Sequence, residues 1–471
     1  MKKLIKFVIL VVVIIGVAFF IWLRFFSNTP FDTYRPAPRA TTITDLPKFP
    51  GFPLYGILSS KEKQDELVRE IVDLKLTTYP AQSSRSKRAG KHIGSGIFGS
   101  FDPTEEQVAK LAPHYDYVMF GASKKELFLK FKKYNPTVKG LLYMDSALGP
   151  KFAEWKVQAD PGSIDSEDTP WVVENHPEWL LKDTEGNIIV VGEGALQTPG
   201  TYLPDPGHPG YQEYFAEKVS KLLREQGGIW SGILLDDFMG SIGAYEHYSK
   251  TSKPAKYPTN EAFKNAQISF FNTVRKKINI PIVANIDGIS VVLDPEVFGQ
   301  IAVAAGGAES EVYPEEMPIE DMRRFLEVIE KIPKDKQIFI GSKPSPGWAG
   351  DIDKTLFAYY SYLLFADKDR EAYWTYKEGP SDIPHYWFRE FDLDLGEPLG
   401  EAEEMSNLFV REFENVIAVV NADNNDSHEF QPQTKGAFYD IAGNPLVMPI
   451  TLEARTAVLI VKNPSKILNQ H

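Results

Sequence analysis

The sequence predicts an α/β protein built on a (β/α)8 TIM barrel, with an N-terminal transmembrane helix and a C-terminal antiparallel β-sandwich domain. Three observations carry this. Short apolar runs alternate with amphipathic stretches eight times between residues 93 and 376. Residues 7–23, FVILVVVIIGVAFFIWL, are apolar and uncharged. After about residue 385 the pattern changes to short β-rich runs separated by turn-forming residues.

The N-terminal run is extended by Leu4 and Ile5 past Lys6, and by Phe25 and Phe26 past Arg24. A spanning helix needs roughly 20 residues, and a basic side chain near its end can reach the interface. Lys2, Lys3 and Lys6 precede the run, and only Arg24 closely follows it. The positive-inside rule then places the N-terminus in the cytoplasm and the body outside. A cleaved signal peptide is the rival reading, but Arg24-Phe-Phe-Ser-Asn28 fits a small-residue cleavage site poorly. Both readings export the body. We therefore expect a signal anchor over 1–26, a linker over 27–55, the barrel over 56–384 and the β domain over 385–471. Five prolines within 27–50 mark a semi-stiff spacer.

The eight apolar runs are Ile93–Phe98, Tyr115–Phe120, Lys139–Asp145, Gly232–Phe238, Pro281–Asp287, Gln300–Glu309, Gln337–Gly341 and Glu371–Tyr376. Helical stretches are expected at Thr104–Ala112, Lys124–Tyr134, Gly210–Gln226, Asn260–Lys277, Ile319–Lys331 and Asp353–Ala366, with little helix after the fifth run. Apolar strands alternating with helices indicate a parallel sheet covered on both faces. Eight of them suit a closed barrel of about 250 residues plus insertions. A doubly wound open sheet would carry a glycine fingerprint between a strand and a helix. Gly94-Ser-Gly96-Ile-Phe-Gly99 matches its letters, but no adequate strand precedes it and no helix starts at its glycines. In the tail, Val416–Val420 and Ala457–Val461 read as strands, with Asn421–Asp426 and Ala442–Pro445 as turns.

Composition excludes several functions. The net charge is −13, and beyond residue 24 the chain carries 47 basic against 64 acidic residues, a surface that repels nucleic acid. Cysteine is absent, which removes disulfides, Cys-ligated zinc and thiol catalysis together.

Barrel chemistry sits at the C-terminal ends of the strands. Here the third run ends in Asp145, the fourth in Asp236-Asp237-Phe238, the fifth in Asn285-Ile-Asp287, and the sixth in Glu309-Ser-Glu311. A single strand-end carboxylate is as readily a helix cap as a site residue. Four in succession point to a site, because gathered like charges are unfavourable unless put to use. Carboxyls with unequal proton affinity are what glycosidic cleavage needs, one to protonate the leaving oxygen and one to attack the anomeric carbon or activate water. Asp236 is the candidate nucleophile or base and Asp237 its orienter. Glu311 is preferred to Glu309 as the acid, with both retained. Asp145 and Asp287 are candidate ligands of sugar hydroxyls, and Tyr143, Trp348, Trp374 and Tyr376 candidate sugar platforms. The competing chemistry is a magnesium or calcium site on the same carboxylates. No histidine stands at these strand ends, so no zinc site is expected, and the favoured reading invokes neither metal nor cofactor.

A resemblance joins these residues. Trp171-Val-Val-Glu-Asn-His-Pro-Glu-Trp-Leu-Leu-Lys-Asp-Thr-Glu-Gly-Asn187 resembles the HPEWLLKD..GN stretch that glycosidase barrels insert after strand three. Tyr202-Leu-Pro-Asp205-Pro-Gly-His-Pro-Gly-Tyr-Gln212 and Gly232-Ile-Leu-Leu-Asp-Asp-Phe238 follow it. Together they are similar to glycosyl-hydrolase-like family 15 and, more distantly, to the α-galactosidase superfamily and the endo-α-1,4-polygalactosaminidases. The resemblance covers roughly residues 90–380. It implies a barrel with a fourth-strand aspartate and a sixth-strand acid, here Asp236 and Glu309 or Glu311. Three functions are weighed: an exported hydrolase of a surface or exopolysaccharide glycan, a non-catalytic carbohydrate-binding barrel, and a metal-dependent hydrolase or lyase.

Overall fold

The structure is a computed structural model that describes residues 93–97, 103–146, 169–191, 201–242, 254–286, 290–291, 294–310, 317–341, 352–366, 371–377, 389–391, 393–441 and 443–464. The expected anchor and linker lie outside these residues. Among the described residues no helix is long and apolar enough to cross a membrane.

Eight parallel strands form the barrel wall: β1 (Ile93–Ile97), β2 (Tyr117–Phe120), β3 (Lys139–Asp145), β6 (Gly232–Phe238), β7 (Ile282–Ile286), β8 (Gly306–Ser310), β9 (Gln337–Gly341) and β10 (Glu371–Lys377). Each pairs with its neighbour in sequence, and β1 pairs with β10, so the sheet closes. The helices α1 (Glu105–Leu111), α2 (Lys125–Tyr134), α4 (Pro209–Glu225), α5 (Asn260–Val274), α6 (Pro295–Ala305), α7 (Ile319–Lys331) and α8 (Ile352–Leu363) connect the strands. The β3–β6 connection also carries α3 (Thr169–Asn175) and the short pair β4 (Val190–Val191) and β5 (Thr201–Tyr202). Tyr117, Met119, Leu141, Leu234, Val283 and Phe339 fill the barrel interior, with Tyr143 packed against them.

One strand differs from its expected bounds. The run Gln300–Glu309 is not one strand: Gln300–Ala305 belong to α6, and only Gly306–Ser310 form β8. The stretch after the fifth run is correspondingly helical. The run is apolar throughout, so it reads as strand, yet Val297, Phe298, Ile301, Ala302 and Ala305 are buried at helical spacing. Pro295 opens the helix and Gly306 ends it at φ 106°, the usual placement of the two helix punctuators. Any other residue would be strained at that φ.

The C-terminal part is antiparallel. Strands β11 (Glu403–Met405), β12 (Leu408–Glu412), β13 (Val416–Asn421), β15 (Phe438–Tyr439), β16 (Pro445–Leu446) and β18 (Thr456–Val461) form a six-stranded sheet in the order β11-β12-β13-β18-β15-β16. Strands β14 (His428–Phe430) and β17 (Ile450–Leu452) form a second sheet. Alternate residues of both sheets, among them Val410, Val419, Phe430, Leu452 and Val458, make one apolar core between them.

Arg411 and Arg455 of this part reach across to the barrel. The buried Arg411 donates to the carbonyls of Leu363 (3.2 Å) and Ala366 (2.9 Å) at the end of α8, and to Gly400 O (3.1 Å). Arg455 donates to Met317 O at 2.8 Å, just before α7, and lies 4.9 Å over the Phe357 ring.

Candidate active site

Strand alternation decides which side chains enter the barrel. Leu141 and Leu234 face inward, so Tyr143, Asp145 and Asp236 share their face by period two. Asp145 and Asp236 are register partners across the β3–β6 pair. The phenol of Tyr143 donates to Asp236 Oδ2 at 2.7 Å. The side-chain amide of Asn285, on β7, donates to Asp236 Oδ1 at 2.7 Å. Both carboxylate oxygens are thus held by donors from the two flanking strands.

The backbone around Asp236 is irregular in a way that serves this geometry. Leu235 is opposite Ala284 and Phe238 is opposite Ile286, so Asp236 and Asp237 together face the single residue Asn285. That is a β-bulge, the device that re-aims a side chain at a strand end. The amide of Ser146, just past β3, donates to Asp236 O at 3.0 Å and keeps β3 and β6 joined through the bulge.

Glu309 is the register partner of Asn285 on the next strand and is fully buried. Gly307, on the same face, would place an added Cβ 3.1 Å from Val283 of the barrel core, which confirms that this face of β8 points inward. Asp236, Asn285 and Glu309 therefore stand on three adjacent strands, facing the interior at one level.

Of the other expected site residues, Asp287, Glu311 and Trp348 lie outside the described residues. Asp237 is placed on β6 by its backbone. Trp374 lies opposite Gly94 and Gly341, and Tyr376 opposite Gly96. Asp145 remains half-buried at the mouth. Tyr143 was expected as a sugar platform, and the structure shows its hydroxyl engaged with Asp236. Asn285 was missed as a site residue, although it sits two positions before Asp287 and so shares its face. Among the described residues no group of three histidine, aspartate or glutamate side chains is placed to hold a metal ion.

The insertion between β3 and β6 frames the mouth. Leu181, Ile189 and Leu203 pack on Met239, Ile242, Tyr257, Phe263 and Ala266. Asp205, buried in this insertion, accepts from Lys256 Nζ at 2.6 Å, from the Tyr257 hydroxyl and from Gly207 N at 2.9 Å. Burial, and then the bond to Asp205, pushes the Tyr257 hydroxyl far above its ordinary range, so it stays a donor. The HPEW segment makes an aromatic stack: His176 lies 3.8 Å from Trp179, and Trp171 lies 5.5 Å from Tyr214.

The described site is thus a parallel barrel with an inward carboxylate held by two donors and a second carboxyl two strands away. The chain belongs to hypothetical glycosyl hydrolase family 15, whose sequence pattern matches residues 132–417, more than half its length. No curated protein sequence matches the chain. Similar solved structures include a noncanonic maltogenic alpha-amylase from Thermotoga neapolitana, at 10% identity and a TM-score of 0.41, over 79% of this chain and 98% of that one. A family 39 glycoside hydrolase from Bacteroides cellulosilyticus WH2 shares 9% identity at a TM-score of 0.41, over 80% and 81%. A xylosidase from Aspergillus niger shares 9% at 0.38, over 80% and 65%.

Proposed function

We propose that the protein is an extracytoplasmic, membrane-anchored hydrolase that cleaves an O-glycosidic bond in a surface or exopolysaccharide glycan. Asp236 is the nucleophile or base, and Glu309 or Glu311 the proton donor. The observation that carries this reading is the double engagement of Asp236 by Tyr143 and Asn285, which fixes the carboxylate at the barrel mouth. Such bonds to an anionic acceptor are the stronger kind and hold its geometry.

Strands β6 and β8 are separated by one strand, which puts their backbones about 10 Å apart. Side chains leaning inward bring the two carboxyls nearer, toward the roughly 5–9.5 Å that retaining and inverting cleavage span between them. Glu309 is fully buried and is the register partner of Asn285, which supports it as the second carboxyl of the pair. The apolar run at 7–23 supports the anchor and the exported body.

The test is a screen of the full chain against a polysaccharide panel beside Asp236→Asn, Glu309→Gln and Glu311→Gln. Hydrolysis by the wild type, lost in Asp236→Asn and in one of the two glutamate variants, is expected. Hydrolysis that survives Asp236→Asn, or that chelator abolishes, overturns the assignment.

A further inference from the structure

A pocket lies beside the mouth, apart from the carboxylates. It has a volume of about 40 Å³ and sits between the end of β6 and helices α4 and α5. Phe238, Phe263 and Phe270 supply aromatic walls. All its lining residues are buried except Ser146 and Pro204, so it opens between those two. Ser146 follows Asp145 directly, and its main-chain amide donates to the main-chain carbonyl of Asp236, so this edge of the pocket lies at the C-terminal ends of β3 and β6.

Two of its lining residues carry a polar atom with no hydrogen-bond partner among the described residues: the hydroxyl of Tyr211 and Oε1 of Gln267. Each residue is only 2% exposed. A buried polar atom without a partner is unfavourable by about 1–3 kcal/mol, so such atoms mark where something else binds. The amide side of Gln267 is already committed to Met239 O, so Oε1 is fixed as an acceptor. Burial holds the Tyr211 hydroxyl protonated as a donor. One donor and one acceptor on aromatic walls, in so small a space, match a single alcohol on a methylene. A carboxylate cannot donate to Gln267, and a bare hydrogen fills nothing.

We propose that this pocket takes the exocyclic hydroxymethyl group of a hexopyranose unit, so that the protein selects hexose glycans over pentose and uronate glycans. The inference rests on the glycan reading above and names its substrate class. The hydroxymethyl oxygen accepts from Tyr211 and donates to Gln267, while its methylene lies against Phe263 and Phe270.

Binding rather than turnover tests it. Titration calorimetry of the full chain uses oligosaccharides of glucose, galactose and mannose, their 6-deoxy counterparts, xylo-oligosaccharides and oligouronates. At least one hexose series binds more tightly than the xylo- and uronate series. Tyr211→Phe, whose lost hydroxyl has no partner among the described residues, weakens that series about 3- to 10-fold, the worth of one neutral hydrogen bond. It leaves xylo-oligosaccharide binding unchanged. The 6-deoxy ligand loses affinity on the wild type and loses no more on Tyr211→Phe, a comparison that stands even if the variant folds poorly. Equal affinity for hexose and pentose series, an unchanged Tyr211→Phe, or water alone in the pocket of a hexose complex overturns the proposal. Hydrolysis without hexose preference defeats this inference alone. Hexose-selective binding without hydrolysis defeats only the catalytic reading.

Discussion

Tyr143 and Asp236 are 93 residues apart in sequence, and the phenol of the first donates to Oδ2 of the second at 2.7 Å. A bond to a charged acceptor contributes about 1.5–3 kcal/mol. Tyr143→Phe should lower kcat/KM on the glycan substrate about 10- to 100-fold, with most of the loss in kcat, because the ring and its packing remain. Steady-state kinetics with a melting curve as control checks this.

Asn285 holds the other oxygen of Asp236. Asn285→Leu should cost activity by a similar factor. Asn285→Asp should cost more, since it replaces a donor by a second carboxylate against the first. Equal activities of the two variants would show that Asn285 only fills space.

Gly306 sits at φ 106°, and an added Cβ would stand 3.3 Å from Pro281 Cα. Gly306→Ala should destabilise the fold by about 1–3 kcal/mol. Denaturant unfolding reads the loss directly.

Arg411 is buried and serves three carbonyls, two of them at the end of α8. Arg411→Met should destabilise by about 2 kcal/mol, through acceptors left buried without a donor. Separation of the single unfolding transition into two is the expected signature, because barrel and β domain lose a shared anchor. Calorimetry resolves it.

Arg323 on α7 grips Glu404 of β11 through two bonds, 2.6 and 2.7 Å long. The hydrogen bond from Arg323 holds the Glu404 carboxyl below its ordinary value of 4.5. A depressed folded-state value means the stabilisation is present above about pH 4.5 and is lost as pH falls through the folded value. Wild type should exceed Arg323→Gln by up to about 1 kcal/mol at pH 7. That margin should shrink as pH falls below 4.5 in pH-dependent unfolding.

Strands β3, β6 and β9 matched their expected bounds residue for residue, because each is a short apolar run with a polar turn on either side. The sixth run failed where apolarity alone cannot separate a buried helix from a buried strand, and the Pro295–Gly306 bracket was the clue left unused. Asp236 was legible because a strand end is a local feature. Its partners were not, since Tyr143 and Asn285 reach it across sheet neighbours that only closure of the barrel brings together. The Tyr211–Gln267 pocket was likewise invisible, because two polar residues on different helices mean nothing until packing denies them water.

The join between α6 and β8 has no spare chain: Ala305 ends the helix and Gly306 begins the strand. The phase of β8 is therefore inherited from the helix before it. One residue added or removed between Ala305 and Glu309 would turn that glutamate from the lumen to the helix layer, since strand side chains alternate. Homologous chains should accordingly vary in length almost anywhere around the barrel before they vary here, and a designer grafting new loops onto this scaffold should leave this seam untouched.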